Sequence, residues 1–491
     1  MSSNTFSISV KTGERSLVDI SDYVYEKSKI TFLFGESGIG KSVISKVIYG
    51  ILDPHGLDIK VNGSSYSNYR ESESVKELQK SSFFVFQEPS THLNPQQKIY
   101  EQLNEGSLSG ADSEKQILST LWTDGTVESL KHILDIFPKP YRPSGGEKQR
   151  VLLAMAFKKI DMVVSSANSG TEYFVFDEPT GSLDNRYRNI FLEYLVNKFK
   201  EKPYTVTVIT HDYSIISEVY TRYGDIIESF RFKELVRNED ETLCLNDFSP
   251  EKYTGWLFKM RKLISSAKNS EKILEFSQDL KVFGRELTLS SPLIIRRGEM
   301  VYLKAASGVG KTTLAKVIMG LYKADRFSMN LSGVYLDQNS DEGKWHKEIW
   351  GKKGGMVFQH ADEALNLAVN VREVFKNLPL KRPVTDASLT EMLSALLTQK
   401  LPDGFLERKV SQLSGGQKQC LNLLRTFLIR PDLIVLDEPL NGLDFSRIRT
   451  VLGLISNGLS DGSAILMITH NEEIMEHLVN PDQVWYLSAK E

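Results

Sequence analysis

The sequence is written twice in one chain. Residues 35–42 read GESGIGKS and residues 305–312 read AASGVGKT, each behind an apolar run (30–34 and 300–303) and ahead of a helix-like stretch. FVFQ ends at Gln87 and MVFQ at Gln359, 46 and 48 residues after Lys41 and Lys311. PSGGE at 143–147 answers LSGGQ at 413–417, YFVFDEP at 173–179 answers LIVLDEP at 433–439, and VITHD at 208–212 answers MITHN at 467–471. Five matches in one order at nearly constant spacing mark a duplicated domain. A length of 491 residues accommodates two domains of ordinary size. The first is expected over 1–265, with a tail and linker from residue 229, and the second over 272–491.

Strand-like runs alternating with helical stretches predict an α/β fold with a largely parallel sheet in each copy. The first copy carries ten more residues between its SGG tripeptide and its acidic strand, around MVVSSANSGTE (162–172), and the polar Ser-Ala-Asn-Ser-Gly core of that stretch reads as a surface loop. GxxxxGK[ST] after a strand is the P-loop pattern. Its backbone N–H groups form an anion nest, and the following helix points its positive end at phosphate. Gly35, Ser37, Gly38, Gly40, Lys41, Ser42 and Val43 make this cradle in the first copy, and Ser307, Gly308, Gly310, Lys311, Thr312 and Thr313 in the second. The lysine reaches the β- and γ-phosphates of ATP, and Ser42 or Thr312 binds the accompanying Mg²⁺. Ala305 replaces the first glycine of the second copy, a modest perturbation at a strand end.

Asp177 and Asp437 end runs of large apolar residues, the pattern of a buried strand delivering a carboxylate to Mg²⁺. Glu178 and Glu438 follow directly. Adjacent strand residues point to opposite faces, so the strand must end between them for both to reach one site. A carboxylate beside the γ-phosphate can orient the attacking water or take its proton. Gln87 and Gln359 offer amides to the metal or the water, and His211 and His470 offer imidazoles to the γ-phosphate.

The SGGE/SGGQ signature separates this chain from other P-loop ATPases. With the P-loop, the glutamine, the Asp-Glu pair, the SLD/GLD turn and the histidine, it resembles the ATP-binding-cassette (ABC) family over nearly its whole length, twice. The resemblance implies two tandem P-loop NTPase domains, each with a mainly parallel core, an antiparallel β subdomain and a helical subdomain carrying the signature. It also implies head-to-tail stacking, with each ATP between one P-loop and the other copy's signature. Site one then joins the first P-loop, Gln87, Asp177, Glu178 and His211 to Ser414, Gly415, Gly416 and Gln417. Site two joins the second P-loop, Gln359, Asp437, Glu438 and His470 to Ser144, Gly145, Gly146 and Glu147. Pro143, Glu147 and Ala305 depart from the family pattern, and all three fall in site two. A carboxylate near a polyphosphate is repelled unless turned away, so site two is expected to be weaker without being dead. In the family an aromatic residue upstream of the P-loop lysine stacks on adenine. Phe283, 28 residues before Lys311, fits that role, while Gly13 stands at the same point of the first copy with no aromatic beside it.

FVFQEPSTHLNP (84–95) resembles the segment that, in importers for peptides, nickel and metal-chelating opines, receives a helix of the membrane subunit, and MVFQHADEALNL (356–367) is a looser match. This likeness implies an importer ATPase driven by closure on two MgATP. Its expected partners are one or two integral-membrane permease subunits and a substrate-binding protein. Its expected place is peripheral, on the cytoplasmic face of the bacterial inner membrane. Fused twin cassettes of this length also occur in energy-coupling-factor importers of vitamins or transition metals, which is the alternative. A reading of another class is a non-transport twin cassette acting on ribosomes or DNA. A net charge of −3 gives no basic face for nucleic acid. Two cysteines, Cys244 and Cys420, cannot make a four-thiolate cluster and suit a reducing compartment. No apolar run approaches the roughly 20 residues of a bilayer-spanning helix, and MSSNTFSISV lacks the plan of a signal peptide.

Overall fold

Runs of Val, Ile and Phe without polar alternation make strands buried on both faces, as parallel strands covered by helices are. Ile30–Gly35, Thr205–Ile209 and Tyr173–Asp177 are buried at every position and lie side by side in parallel, with Phe84–Val85 at the edge. The computed structural model describes residues 3–36, 38–89, 92–105, 117–122, 130, 133–135, 143–166, 172–179, 185–238, 242–264, 270–306, 308–380, 383–398, 400–441, 443, 445–469 and 471–490. The chain divides into two compact units, Met1–Pro250 and Glu251–Glu491.

In the first unit Phe230–Arg237 runs parallel to the P-loop strand on its other side. Beyond it the sheet turns antiparallel through Leu243–Asp247, then continues into the hairpin Ser3–Thr12/Arg15–Glu26 and Asp58–Val61. In the second unit a seven-stranded sheet runs Asp279–Val282, Arg285–Leu289, Val484–Ala489, Met300–Lys304, Ala464–Ile468, Leu433–Asp437, Gly354–Val357. Its last five strands are parallel. A separate antiparallel sheet is built from Leu293–Arg296, Lys272–Phe276, Ser328–Leu331 and Val334–Asp337. Each unit is thus an α/β fold with a parallel core and an antiparallel β part. Helices bearing the signature start at Gly145 and Gly415. Among the described residues no helix is long and apolar enough to cross a membrane.

One expectation needs correction. The stretch from residue 229, read as tail and linker, supplies two strands of the first sheet. FRFKELVR alternates with a period of two, and Phe230, Phe232 and Leu235 are buried. The helix Pro250–Ile264 belongs to the second unit, because the rings of Tyr253 and Trp256 pack edge-on against Phe445. The units therefore meet at Pro250/Glu251, ahead of the expected 265–272. Helix Gly145–Ser165 covers 162–165 with Val163 buried, and the polar core read as a surface loop lies outside the described residues apart from Ser166.

Candidate functional site

Each P-loop leaves a parallel strand and enters the helix beginning at its lysine, Lys41–Ile48 or Lys311–Ile318. The lysines fold back onto the loop. Lys41 Nζ donates to Gly35 O at 2.6 Å and Glu36 O at 2.9 Å, and Lys311 Nζ donates to Ala305 O at 2.8 Å. Burial pulls the Lys311 ammonium below its ordinary pKa. Gly38 and Gly40 in the first unit, and Gly308 and Gly310 in the second, all take positive φ. Val43 and Thr313 sit half-buried in the first helical turns. Ser37 and Ser307 lie outside the described residues.

The two strand ends are not equivalent. Gly35 has φ of 137°, and a Cβ there meets Leu235 O at 2.6 Å. Ala305, its counterpart, avoids positive φ. Gly35→Ala is therefore expected to lower the melting temperature by the equivalent of about 1–3 kcal/mol, although alanine is native in the other copy. Thermal melting checks this, and an unchanged Tm shows that the strand end adjusts freely.

The Asp-Glu pairs solve the problem of adjacent strand residues by backbone conformation. Asp177 and Asp437 end their strands with side chains 1% exposed. Glu178 and Glu438 both have φ of 51°, in the left-handed region that non-glycine residues rarely enter. This turns the glutamate out of strand alternation at the same place in both units. Such a conformation costs on the order of 1–2 kcal/mol and is typical of functional sites. Backbone bonds from Glu178 N to Ile209 O (3.0 Å) and Glu438 N to Ile468 O (2.8 Å) hold the turn against the neighbouring strand.

Ser42 Oγ donates to Asp177 Oδ1 at 2.9 Å. Burial raises the pKa of Asp177, the Ser42 hydrogen bond opposing it, and burial likewise raises that of Asp437, with Thr312 opposing. Both Asp437 carboxylate oxygens are buried without an aligned hydrogen-bond donor. A hydroxyl on the first helical turn beside an orphaned buried carboxylate is a donor set of hard oxygens, which suits Mg²⁺. The residues present therefore fit the metal.

His211 Nε2 lies 2.9 Å from Glu178 Oε1, with side chains 20% and 14% exposed. The contact is an ion-pair approach without hydrogen-bond alignment. His470 lies outside the described residues. Gln87 and Gln359 are exposed at the starts of loops after Phe84–Val85 and Gly354–Val357. Neither amide hydrogen-bonds to Ser42, Asp177, Thr312 or Asp437.

The signatures are helix N-caps. Ser144 Oγ accepts from Glu147 N and Ser414 Oγ accepts from Gln417 N, both at 3.3 Å. In return Glu147 Oε2 accepts from Ser144 N at 2.6 Å, and Gln417 Oε1 accepts from Ser414 N at 3.0 Å. These are capping boxes, so the Glu147 carboxylate is turned back on its own backbone. Pro143 fills the buried position held by Leu413 in the other copy. Gly145, Gly146, Gly415 and Gly416 open the two helices. Phe283 stands at a hairpin tip, 68% exposed, with φ of 51° and Tyr322 edge-on at 5.2 Å. Gly13 occupies the equivalent tip between Ser3–Thr12 and Arg15–Glu26, with nothing within 4 Å of an added Cβ.

A family model described as ABC transporter matches residues 18–180 and 290–441. A Clostridium perfringens protein provisionally named an ABC transporter ATP-binding protein is 26% identical over 94% of this chain and 84% of its own length. An Agrobacterium fabrum protein, Peptidoglycan transport ATP-binding protein YejF, is 25% identical over 94% of this chain and 86% of its own. A solved structure described as RNase-L Inhibitor superposes with a TM-score of 0.64 at 18% identity, covering 98% of this chain and 89% of that one. The archaeal ribosome recycling factor aABCE1, solved with stalk protein aP1, gives 0.62 at 18% identity, covering 96% and 87%. At that identity the two structures speak for the fold alone. The family model covers more than half of the chain in two separate segments, and the chain belongs to the ABC transporter ATP-binding family as an ATPase with two cassettes.

Proposed function

We propose that this chain is the ATP-hydrolysing subunit of a membrane importer, working by head-to-tail closure of its two cassettes on two MgATP. The observation that carries the reading is the convergence, in both units, of a P-loop lysine, a hydroxyl beside a buried aspartate and a glutamate in left-handed conformation. Bound with ATP, Mg²⁺ supplies charge neutralisation on the β- and γ-phosphates. Ser42 and Asp177, or Thr312 and Asp437, hold it. Lys41 and Lys311 exchange loop carbonyls for phosphate oxygens. Glu178 and Glu438 orient the attacking water and accept its proton, and His211 holds the γ-phosphate side of the site. Gln87 and Gln359 lead the exposed segments that dock the permease. Phe283 stacks on one adenine.

The transported class is peptides, nickel or metal–opine complexes. Peptide receives added support from the Agrobacterium fabrum relative named for peptidoglycan transport, since peptidoglycan fragments carry peptides. Partners are one or two integral-membrane permeases and a substrate-binding protein, which places the chain peripherally at the inner face of a bacterial membrane. The test is uptake of labelled peptide or Ni²⁺ by cells expressing the chain with the permeases encoded beside it. Lys41→Ala is expected to abolish uptake. Wild-type uptake in that variant, or copurification of the chain with ribosomes in place of membrane proteins, overturns the proposal.

A further inference from the structure

The segment after the first histidine is held by a clamp whose Arg188–Asp212 ion pair has no chemical counterpart among the described residues of the second unit, where only the backbone link recurs, from Asn471 N to Thr469 Oγ1 at 3.1 Å. Arg188 lies four residues beyond Asp184 on helix Asn185–Glu201 and is 8% exposed. Its Nη1 donates to Asp212 Oδ2 at 3.1 Å and to the hydroxyl of Ser214. Asp212 Oδ1 accepts from Ser214 N at 3.0 Å and from the Ser214 hydroxyl. Asp212 N donates to Thr210 Oγ1 at 3.0 Å. The two residues flanking His211 are thus tied to each other, and Asp212 is tied to the helix that starts at Asn185, seven residues after Glu178. His211 is left pointing at Glu178, 2.9 Å away.

Motif alignment gives the counterparts. Asp184 matches Asp444, so Arg188 matches Ile448, and His211 matches His470, so Asp212 matches Asn471. Ile448 is buried. Both members of the ion pair are therefore neutral in the second unit. A neighbouring anchor is exchanged in the same coupled way. Tyr213 stacks on Phe34 at 4.6 Å in the first unit. Their counterparts Glu472 and Lys304 form an ion pair at 2.9 Å in the second. Each unit keeps a self-consistent pair, and a mixed pair leaves a buried charge without its partner.

We infer that Arg188 is a positioning residue for hydrolysis in the first unit, holding His211 against Glu178 through Asp212. This rests on the proposed role of Glu178 and His211 in ATP hydrolysis. Misplacing a catalytic group by a fraction of its side-chain length lowers turnover without weakening ATP contacts made elsewhere.

The experiment is steady-state ATPase assay of the full chain carrying Arg188→Ile, Asp212→Asn, or both. Each single change is expected to lower kcat about tenfold with KM for ATP within about twofold of wild type. The double change installs the second unit's own pair, and kcat is expected to return to within about threefold of wild type. Arg188→Lys, which keeps the charge and loses the planar guanidinium that fixes the donor's position, is expected to melt like wild type with intermediate kcat. Additive losses in the double variant, KM rising in step with falling kcat, or full activity in Arg188→Ile overturns the inference. Lys41→Ala serves as control. ATPase activity at the wild-type level in Lys41→Ala defeats the ATPase assignment of site one itself, a failure distinct from that of the clamp.

Discussion

Glu178→Gln is expected to reduce ATP turnover at the first site by about 10²–10⁴-fold, the range for loss of a positioned general base. Its side chain is 14% exposed beside His211, and its left-handed backbone aims it away from the strand. Glutamine preserves shape and backbone preference while removing the proton acceptor. ATP should still bind, because Lys41 and the glycine cradle are untouched. The signature of success is a chain that retains MgATP at the first site without hydrolysing it there.

Glu438→Gln should reduce turnover less. Under the proposed head-to-tail pairing, the departures Ala305, Pro143 and Glu147 would all fall in the site that Glu438 serves. Two of the three are softened by the fold. Pro143 is as buried as the leucine it replaces, and the Glu147 carboxylate is occupied by its own helix N-terminus. The asymmetry is thus expected to be one of rate and not of presence or absence. Measuring the two variants separately decides the matter, and a larger loss from Glu438→Gln sinks the asymmetry.

The chemistry of the site was legible because it lives in short motifs whose spacing a linear sequence preserves. The P-loops, the aspartates ending apolar strands and the SGG signatures could all be located from residue type and position, although the signatures' capping boxes could not. The need for a strand break between Asp177 and Glu178 could be stated from alternation alone, although the left-handed φ that satisfies it could not. Readings failed where tertiary pairing decides. FRFKELVR has a clear period of two, but its acidic and basic residues suggested a tail, and only the parallel pairing with Ile30–Gly35 makes it core. Helix Pro250–Ile264 could not be allotted to a unit from its sequence, since Phe445, which receives its aromatic rings, is nearly two hundred residues away. Arg188 and Asp212 escaped notice for the same reason, being ordinary surface types whose partnership exists only in three dimensions.

Asp437→Asn is expected to push stability and function in opposite directions. Burial raises the Asp437 pKa, and its two oxygens have no aligned donor in the nucleotide-free chain. An acid whose folded pKa is raised adds stability below its unfolded pKa and loses it as pH rises through the folded value. Near neutral pH the ionised carboxylate is therefore a cost to the fold, and the neutral amide removes it. The nucleotide-free variant should melt a few degrees higher at pH 7.5, the shift expected when about 1 kcal/mol is returned to a domain of this size. The gain should shrink toward pH 4, near the ordinary Asp pKa of about 3.9, where the native aspartate takes up its proton. The same change should remove the MgATP-dependent rise in Tm that the second site contributes, because an amide cannot replace a carboxylate as an anionic ligand. Asp177→Asn should lose function equally but gain less stability, since Ser42 already donates to that carboxylate. Melting curves at both pH values, with and without MgATP, separate these effects. A lower Tm for Asp437→Asn shows that the ionised carboxylate stabilises the empty fold, which removes the reason for regarding it as poised for a cation.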